Sequence, residues 1–249
     1  MDRRNFLSAL LAAPAVTLRR RIESGATESA TAFQPSKSAL ILCDMWDKHW
    51  CRGANERLAP IVEKARPLLE AARRKGVVII HAPSDTMDFY QNAPQRRAAL
   101  AIPSVHPPAL LDIAAPPLPI DDSAGGCDTG DKFFKAWTRQ HAGITVAPED
   151  YVSDKGEEVY SILKARGIET LFVMGVHANM CILNRTFAIK QMTRWGVRCV
   201  LIRDLTDAMY NPADRPFVSH EQGTSLVIEH IERYWCPSVT SADLLAALR

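Results

Sequence analysis

The alternation of two patterns along the chain constrains its fold most. Short apolar runs of strand length are separated by longer stretches whose apolar residues recur at helical spacing. Ser38–Cys43 (SALILC) is the first such run and ends at Asp44. A continuous apolar run of that length suits a strand buried on both faces. From Glu56 to Lys75, the residues Leu58, Ile61, Val62, Ala65, Leu68, Leu69 and Ala72 mark one face of a helix. Pro67 should kink or divide it, and Gly76 stops it as a C-cap. Strands follow at Val77–Ile80, Glu169–Met174 and Val197–Ile202. Helices follow at Tyr160–Arg166, residues 179–195, Glu221–Tyr234 and Ala242–Leu248. Strand-helix-strand order with short connections predicts an α/β fold: a three-layer αβα sandwich around a mainly parallel sheet. In such sheets ligands bind at the carboxyl ends of the strands. Asp44, the segment at His81 and the turn Gly175–Cys181 all fall there.

Cys181 is the principal candidate for chemistry. It follows a strand, Leu171–Met174, and a glycine, and it opens an amphipathic stretch. At the first turn of a helix, free N–H groups and the helix dipole favour a thiolate, which is a good nucleophile. A buried core cysteine is the alternative.

Residues 82–142 hold half of the chain's 16 prolines and little periodicity beyond a helix near 95–101. A connection this long inside a compact domain is usually functional or an oligomer contact. It is read as a lid or subunit-interface excursion, with a disordered insertion as the alternative.

The N-terminus resembles a twin-arginine export leader. Arg3-Arg4-Asn5-Phe6-Leu7 precedes an apolar stretch to Leu18, and cutting can occur at Ala13-Pro14-Ala15 or Ala30-Thr31-Ala32. Residues 1–32 are accordingly set aside from the fold, with a basic disordered tail as the alternative. Export places the protein in the periplasm or another extracytoplasmic space. Of the six cysteines, Cys43 and Cys199 lie in strands. Cys51, Cys127 and Cys236 lie in less regular segments, where two of the three can pair in an oxidising compartment. No zinc-ribbon spacing occurs. The net charge of +2 does not mark a nucleic-acid binder, and no internal apolar run approaches the ~20 residues of a membrane span.

Ile41-Leu42-Cys43-Asp44-Met45-Trp46 and Gly175-Val176-His177-Ala178-Asn179-Met180-Cys181 resemble the first-strand and nucleophile-turn motifs of the isochorismatase-like cysteine hydrolases. Nicotinamidases, N-carbamoylsarcosine amidases and biuret hydrolases belong to that family, and the likeness extends over about residues 37–205. The resemblance implies an Asp-Lys-Cys triad. Asp44 is then the general base and Cys181 the nucleophile. Lys155 is the candidate cation, from its place five residues after Asp150, although Gly156-Glu157-Glu158 departs from the family's next residues. Lys132 and Lys135 are the fallbacks. A cis peptide at Val176–His177 is also implied, aiming N–H groups near Ala178 and Cys181 at an oxyanion. Trp46, His49, Trp50, His177 and Asn179 are expected to shape a pocket for a small planar amide-like substrate. The metal set of the nicotinamidases does not match at His81–Asp85, so no cofactor is expected. Asp47, His49, His81 and Asp85 form a weaker alternative cluster for zinc or another divalent ion. Asp204, Asp207, His220 and Glu221 near the last strand are given no chemistry.

These features lead to an exported hydrolase that cleaves a C–N bond of a small amide, ureide or imide through a Cys181 thioester. It is expected to be a homo-oligomer. A vinyl-ether hydrolase and a non-catalytic binding protein on the same fold are the alternatives.

Overall fold

The computed structural model of the chain describes residues 13–249. Arg3 and Arg4 lie outside the described residues. The described strands are β1 (Ala15–Ile22), β2 (Gly25–Ala32), β3 (Ser38–Cys43), β4 (Val78–Ala82), β5 (Tyr151–Val152), β6 (Thr170–Val176), β7 (Arg198–Asp207) and β8 (Ser238–Val239). They form one sheet in the order β2-β1-β8-β7-β6-β3-β4-β5. From β3 to β8 all pairings are parallel, whereas β1 runs antiparallel to β2 and to β8. The helices are α1 (Arg52–Arg74), α2 (Met87–Tyr90), α3 (Pro94–Leu100), α4 (Gly156–Ala165), α5 (Cys181–Asn184), α6 (Ile189–Arg194), α7 (His220–Tyr234) and α8 (Ser241–Ala247). None is long and apolar enough to cross a membrane.

The predicted three layers follow from the alternation of side chains along each strand. On β3, Leu40 and Leu42 pack with Leu58, Val62 and Leu69 of α1 and Leu244 of α8. Ala39 and Ile41 point the other way, towards Ile162 of α4, Ile189 of α6 and Ile231 of α7. Full burial of each such Leu or Ile contributes about 1.5–3 kcal/mol, so the central strands cannot change register without loss of both cores.

Three expectations are corrected. Helix α1 runs unbroken through Pro60 and Pro67. Each proline removes one donor, but the face from Leu58 to Ala72 is buried against the sheet and holds the helix together. The single helix expected over 179–195 is two, because the backbone at Arg185 is extended (φ −62°, ψ 151°). The third correction concerns residues 13–32, which belong to the fold. Strands β1 and β2 form a hairpin that continues the sheet beyond β8. Val16 and Leu18 are buried in the layer of α1 and α8. Arg19 donates to the wholly buried Glu232 at 2.8 Å, and Arg21 pairs with Glu229 at 2.6 Å. The C-terminal part of the apolar stretch Leu7–Leu18 thus faces the protein interior through Val16 and Leu18.

Removal of residues 1–32 is expected to strand the Glu232 carboxylate, at about 3–5 kcal/mol. At about 2–4 °C per kcal/mol for a chain of this size, Tm should fall by at least about 6 °C. Removal of residues 1–12 alone should leave it unchanged. Thermal unfolding of the two truncations checks this.

Candidate active site

Asp44 stands directly after β3 with a left-handed backbone (φ 50°) and no exposed surface. This conformation is tolerated by Asp better than by most residues. It turns the carboxylate across the end of the sheet. Gly175 of β6 is the neighbouring constraint: at φ 117°, a Cβ there would lie 2.0 Å from the Cys43 carbonyl oxygen. Only glycine permits that approach, and it brings the end of β6 and the turn after it against Asp44.

The turn carries the cis bond Val176–His177 and delivers Cys181 to the first position of α5. The Cys181 thiol lies close enough to the Asp44 carboxylate for each to shift the ionisation of the other. Burial and, next, the Asp44 charge push the thiol pKa well above its usual range. A thiolate favoured by a helix N-terminus was expected. However, α5 has only four residues, so little dipole opposes these two effects. Cys181 therefore rests as a thiol beside Asp44, whose own pKa burial raises. The Ala178 N–H does not face the reacting centre, because it donates to the Asp207 carbonyl at 2.8 Å. The His177 backbone acts on the Cys181 sulphur instead, in the direction that favours the thiolate. Among the described residues, the Cys181 N–H donates to no protein acceptor.

The cation on Asp44 is Arg185. Its Nε donates to one carboxylate oxygen at 3.0 Å, while the Ser84 N–H donates to the other at 2.7 Å. A terminal nitrogen of Arg185 reaches Asp85 at 3.2 Å. The extended backbone at Arg185 ends α5 and allows this reach. Lys155 is not in the site: it is 64% exposed, and its ammonium lies 3.5 Å from Asp154. Lys132 is exposed, and Lys135 donates to the Asp85 carbonyl. Arg185 stands four residues after Cys181 but beyond the end of α5, so helical spacing gives no signal for it.

A cavity of about 500 Å³ opens over Cys181, walled by Leu118, Asp122, Asn179, Met180, Arg185 and Lys190. Asn179 is thus at the pocket, where it donates to Asp122 at 2.7 Å and exchanges hydrogen bonds with the backbone of Met209. Trp46, His49 and Trp50 are not in this wall. They form an aromatic pile with two rings of the excursion, Trp137 stacked on Trp46 at 4.2 Å and Phe133 against Trp50 at 5.7 Å. His177 joins the pile edge-on to His49 at 5.0 Å. Burial lowers the pKa of His49 to about 4 and that of His177 to about 3, so both are neutral near pH 7.

The expected metal donors are engaged separately. Asp47 accepts from Thr138, and the Nδ1 of His49 accepts from the Cys51 N–H. The ring nitrogens of His81 contact Gln140 at 2.9 Å and Asp150 at 2.8 Å. Asp85 pairs with Arg185. These four residues do not fit a metal centre. Asp204 secures α8 through Ser241 and pairs with Lys64. Asp207 carries more weight, because it contacts His220 at 2.8 Å and accepts from Arg57 at 2.9 Å while its carbonyl holds Ala178. Burial opposes a charge on His220, but the Asp207 carboxylate outweighs it and raises the pKa.

The site therefore consists of a thiol, a buried carboxylate and a cation at the carboxyl ends of two adjacent parallel strands. Similar architecture occurs in a cysteine hydrolase from Pseudomonas syringae pv. phaseolicola. That structure is 18% identical with a TM-score of 0.56, over 87% of this chain and 94% of the other. An isochorismatase from Pseudomonas putida is 15% identical with a TM-score of 0.51, over 86% and 93%. No curated protein sequence matches the chain. The sequence model of the isochorismatase domain matches residues 38–218, which spans both β3 with Asp44 and the turn with Cys181, and the chain belongs to the isochorismatase family of hydrolases.

Proposed function

We propose that the chain is a cysteine hydrolase that cleaves a C–N bond of a small planar amide, ureide or imide through a Cys181 thioester. The observation that carries this reading is the Cys181 thiol facing a fully buried Asp44 carboxylate that Arg185 holds. Asp44 takes the thiol proton as the sulphur attacks the carbonyl carbon. The oxyanion forms beside the N–H groups of His177 and Cys181. Asp44 then gives its proton to the leaving nitrogen and the C–N bond breaks. Water attacks the thioester, Asp44 accepts its proton, the C–S bond breaks, and the sulphur is reprotonated. Arginine stays charged throughout, so Arg185 stabilises charge and Asp44 carries every proton. A non-catalytic protein would have no need to bury a carboxylate between a cation and a thiol. Vinyl-ether hydrolysis without a cysteine leaves that thiol unused.

Export by the twin-arginine route is proposed on the motif at Arg3 and Arg4. A cut at Ala13-Pro14-Ala15 keeps the hairpin, whereas one after Ala32 removes it. Homo-oligomers are proposed on the exposed Phe89, Phe133 and Phe134 of the excursion.

Hydrolysis of a panel of small amides, ureides and imides, followed as ammonia release, tests the chemistry. Cys181→Ala should abolish turnover, and Arg185→Gln should cost about 10²-fold in kcat, as for loss of one electrostatic stabiliser. Lys155→Met should leave kcat unchanged. Retained turnover in Cys181→Ala would refute the thioester.

Because the thiol pKa is raised, the thiolate fraction should stay small at neutral pH. Iodoacetamide labelling of Cys181, followed by peptide mapping, should rise through pH 9 without levelling. A plateau below pH 8 would contradict the arrangement of Cys181 beside a charged Asp44.

Changing Arg3 and Arg4 together to Lys should leave the precursor in the cytoplasm. Unaltered fractionation of that variant would remove the basis for export.

A further inference from the structure

Two thiols that the hydrolytic chemistry does not use meet where the excursion crosses the start of α1. Cys51 is the residue before α1 and is buried; Cys127 lies on the excursion and is partly exposed. Their sulphurs and an Asp131 carboxylate oxygen lie within 4.8 Å of one another. The Thr129 hydroxyl stands 3.4 Å from each sulphur and donates to Asp131 at 2.6 Å. The Asp131 Oδ2 that accepts from Thr129 also accepts from the Arg52 N–H at 2.8 Å. Asp131 is thus already bound to Thr129 and to the backbone of Arg52, and the Cys51 thiol also reaches Asp128 Oδ1 at 3.6 Å.

The surrounding chain is held in place independently. Gly126, at φ 67°, lies so close to β7's extension that a Cβ would be 2.2 Å from the Met209 carbonyl oxygen. Asp128 pairs with Arg57 at 2.6 Å. A few residues upstream, Leu118 and Asp122 form part of the cavity wall over Cys181.

We propose that Cys51 and Cys127 are a thiol–disulfide pair whose oxidation staples this segment to α1. The inference does not depend on Cys181 being the nucleophile. Its co-reactant is a low-molecular-weight disulfide such as oxidised glutathione. The accessible Cys127 attacks one sulphur of that disulfide as a thiolate, releasing one thiolate and forming a mixed disulfide. Cys51 then loses its proton and attacks the Cys127 sulphur, releasing the second. The two protein thiols lose two protons and two electrons, and the small disulfide becomes two thiols. Burial disfavours the Cys127 thiolate, but hydrogen bonds from Cys51, Thr129 and nearby backbone N–H groups outweigh it and lower the pKa. The Cys51 pKa is raised, by burial and by its hydrogen bond to Cys127. These directions assign Cys127 as the attacking and Cys51 as the resolving thiol.

The test uses the full chain equilibrated in glutathione buffers from reduced to oxidised, then blocked with iodoacetamide and mapped by mass spectrometry. The expected result is loss of both labels together and a linked Cys51–Cys127 peptide lighter by two hydrogens. Cys51→Ser should instead leave Cys127 as a mixed disulfide with glutathione. A stable mixed disulfide on wild-type Cys127, pairing of either residue with another cysteine, or full labelling of both in oxidised buffer would each overturn the proposal. A parallel arm adds zinc alone. Stoichiometric zinc binding that shields both thiols and blocks the linked peptide would overturn the pair in favour of a metal site. The wild-type map decides even where a serine variant fails to fold.

Discussion

A carboxylate with no exposed surface has to be matched by the protein around it, and the structure is organised about that requirement. Asp44 is placed by a left-handed residue at the end of β3 and receives the Ser84 N–H and the Arg185 guanidinium. Each partner comes from a different part of the chain, so the core must assemble before the carboxylate is satisfied. Gly175 lets β6 approach β3 closely enough for the nucleophile turn to complete the group. The end of β7 braces that turn from the other side, through the Asp207 carbonyl on Ala178 and the Met209 backbone on Asn179.

The parallel sheet and the placing of Asp44 and Cys181 at neighbouring strand ends were legible in the sequence because they obey local rules. Ser38–Cys43 and Thr170–Val176 are apolar enough to be buried on both faces, and the polar residue after each run marks a strand end. Arg185 was not legible because its role depends on a backbone break that helical periodicity smooths over. Lys155 had suitable spacing in sequence, but spacing along a chain does not report the side-chain direction. Asp150, which set that spacing, is committed to His81 and Arg73 in a buried knot of its own.

The hairpin at the N-terminus was hidden for a related reason. An apolar segment flanked by arginines reads the same whether it faces a membrane machinery or a protein interior. The difference lies in Glu229 and Glu232 of α7, more than two hundred residues along the chain, which meet Arg21 and Arg19. The pocket residues divide on similar lines. Trp46, His49 and Trp50 are drawn into a stack by Trp137 and Phe133 of the excursion, a contact that no local pattern announces.

Cys181 and Arg185 are four residues apart on one short segment, whereas the expected cation lay on the loop after β5. Thiol and counter-charge therefore travel as a single unit. Their relative position is fixed by the backbone between them rather than by the packing of two separate strands. Strand β5, only two residues long and at the edge of the sheet, thereby supplies no side chain to Asp44 itself. The segment after that edge reaches the group only at one remove, where Asp154 accepts from the Asp85 N–H at 3.1 Å and Asp85 in turn pairs with Arg185. In this chain the counter-charge of Asp44 therefore lies on the segment that carries the thiol, and the edge strand serves it from behind.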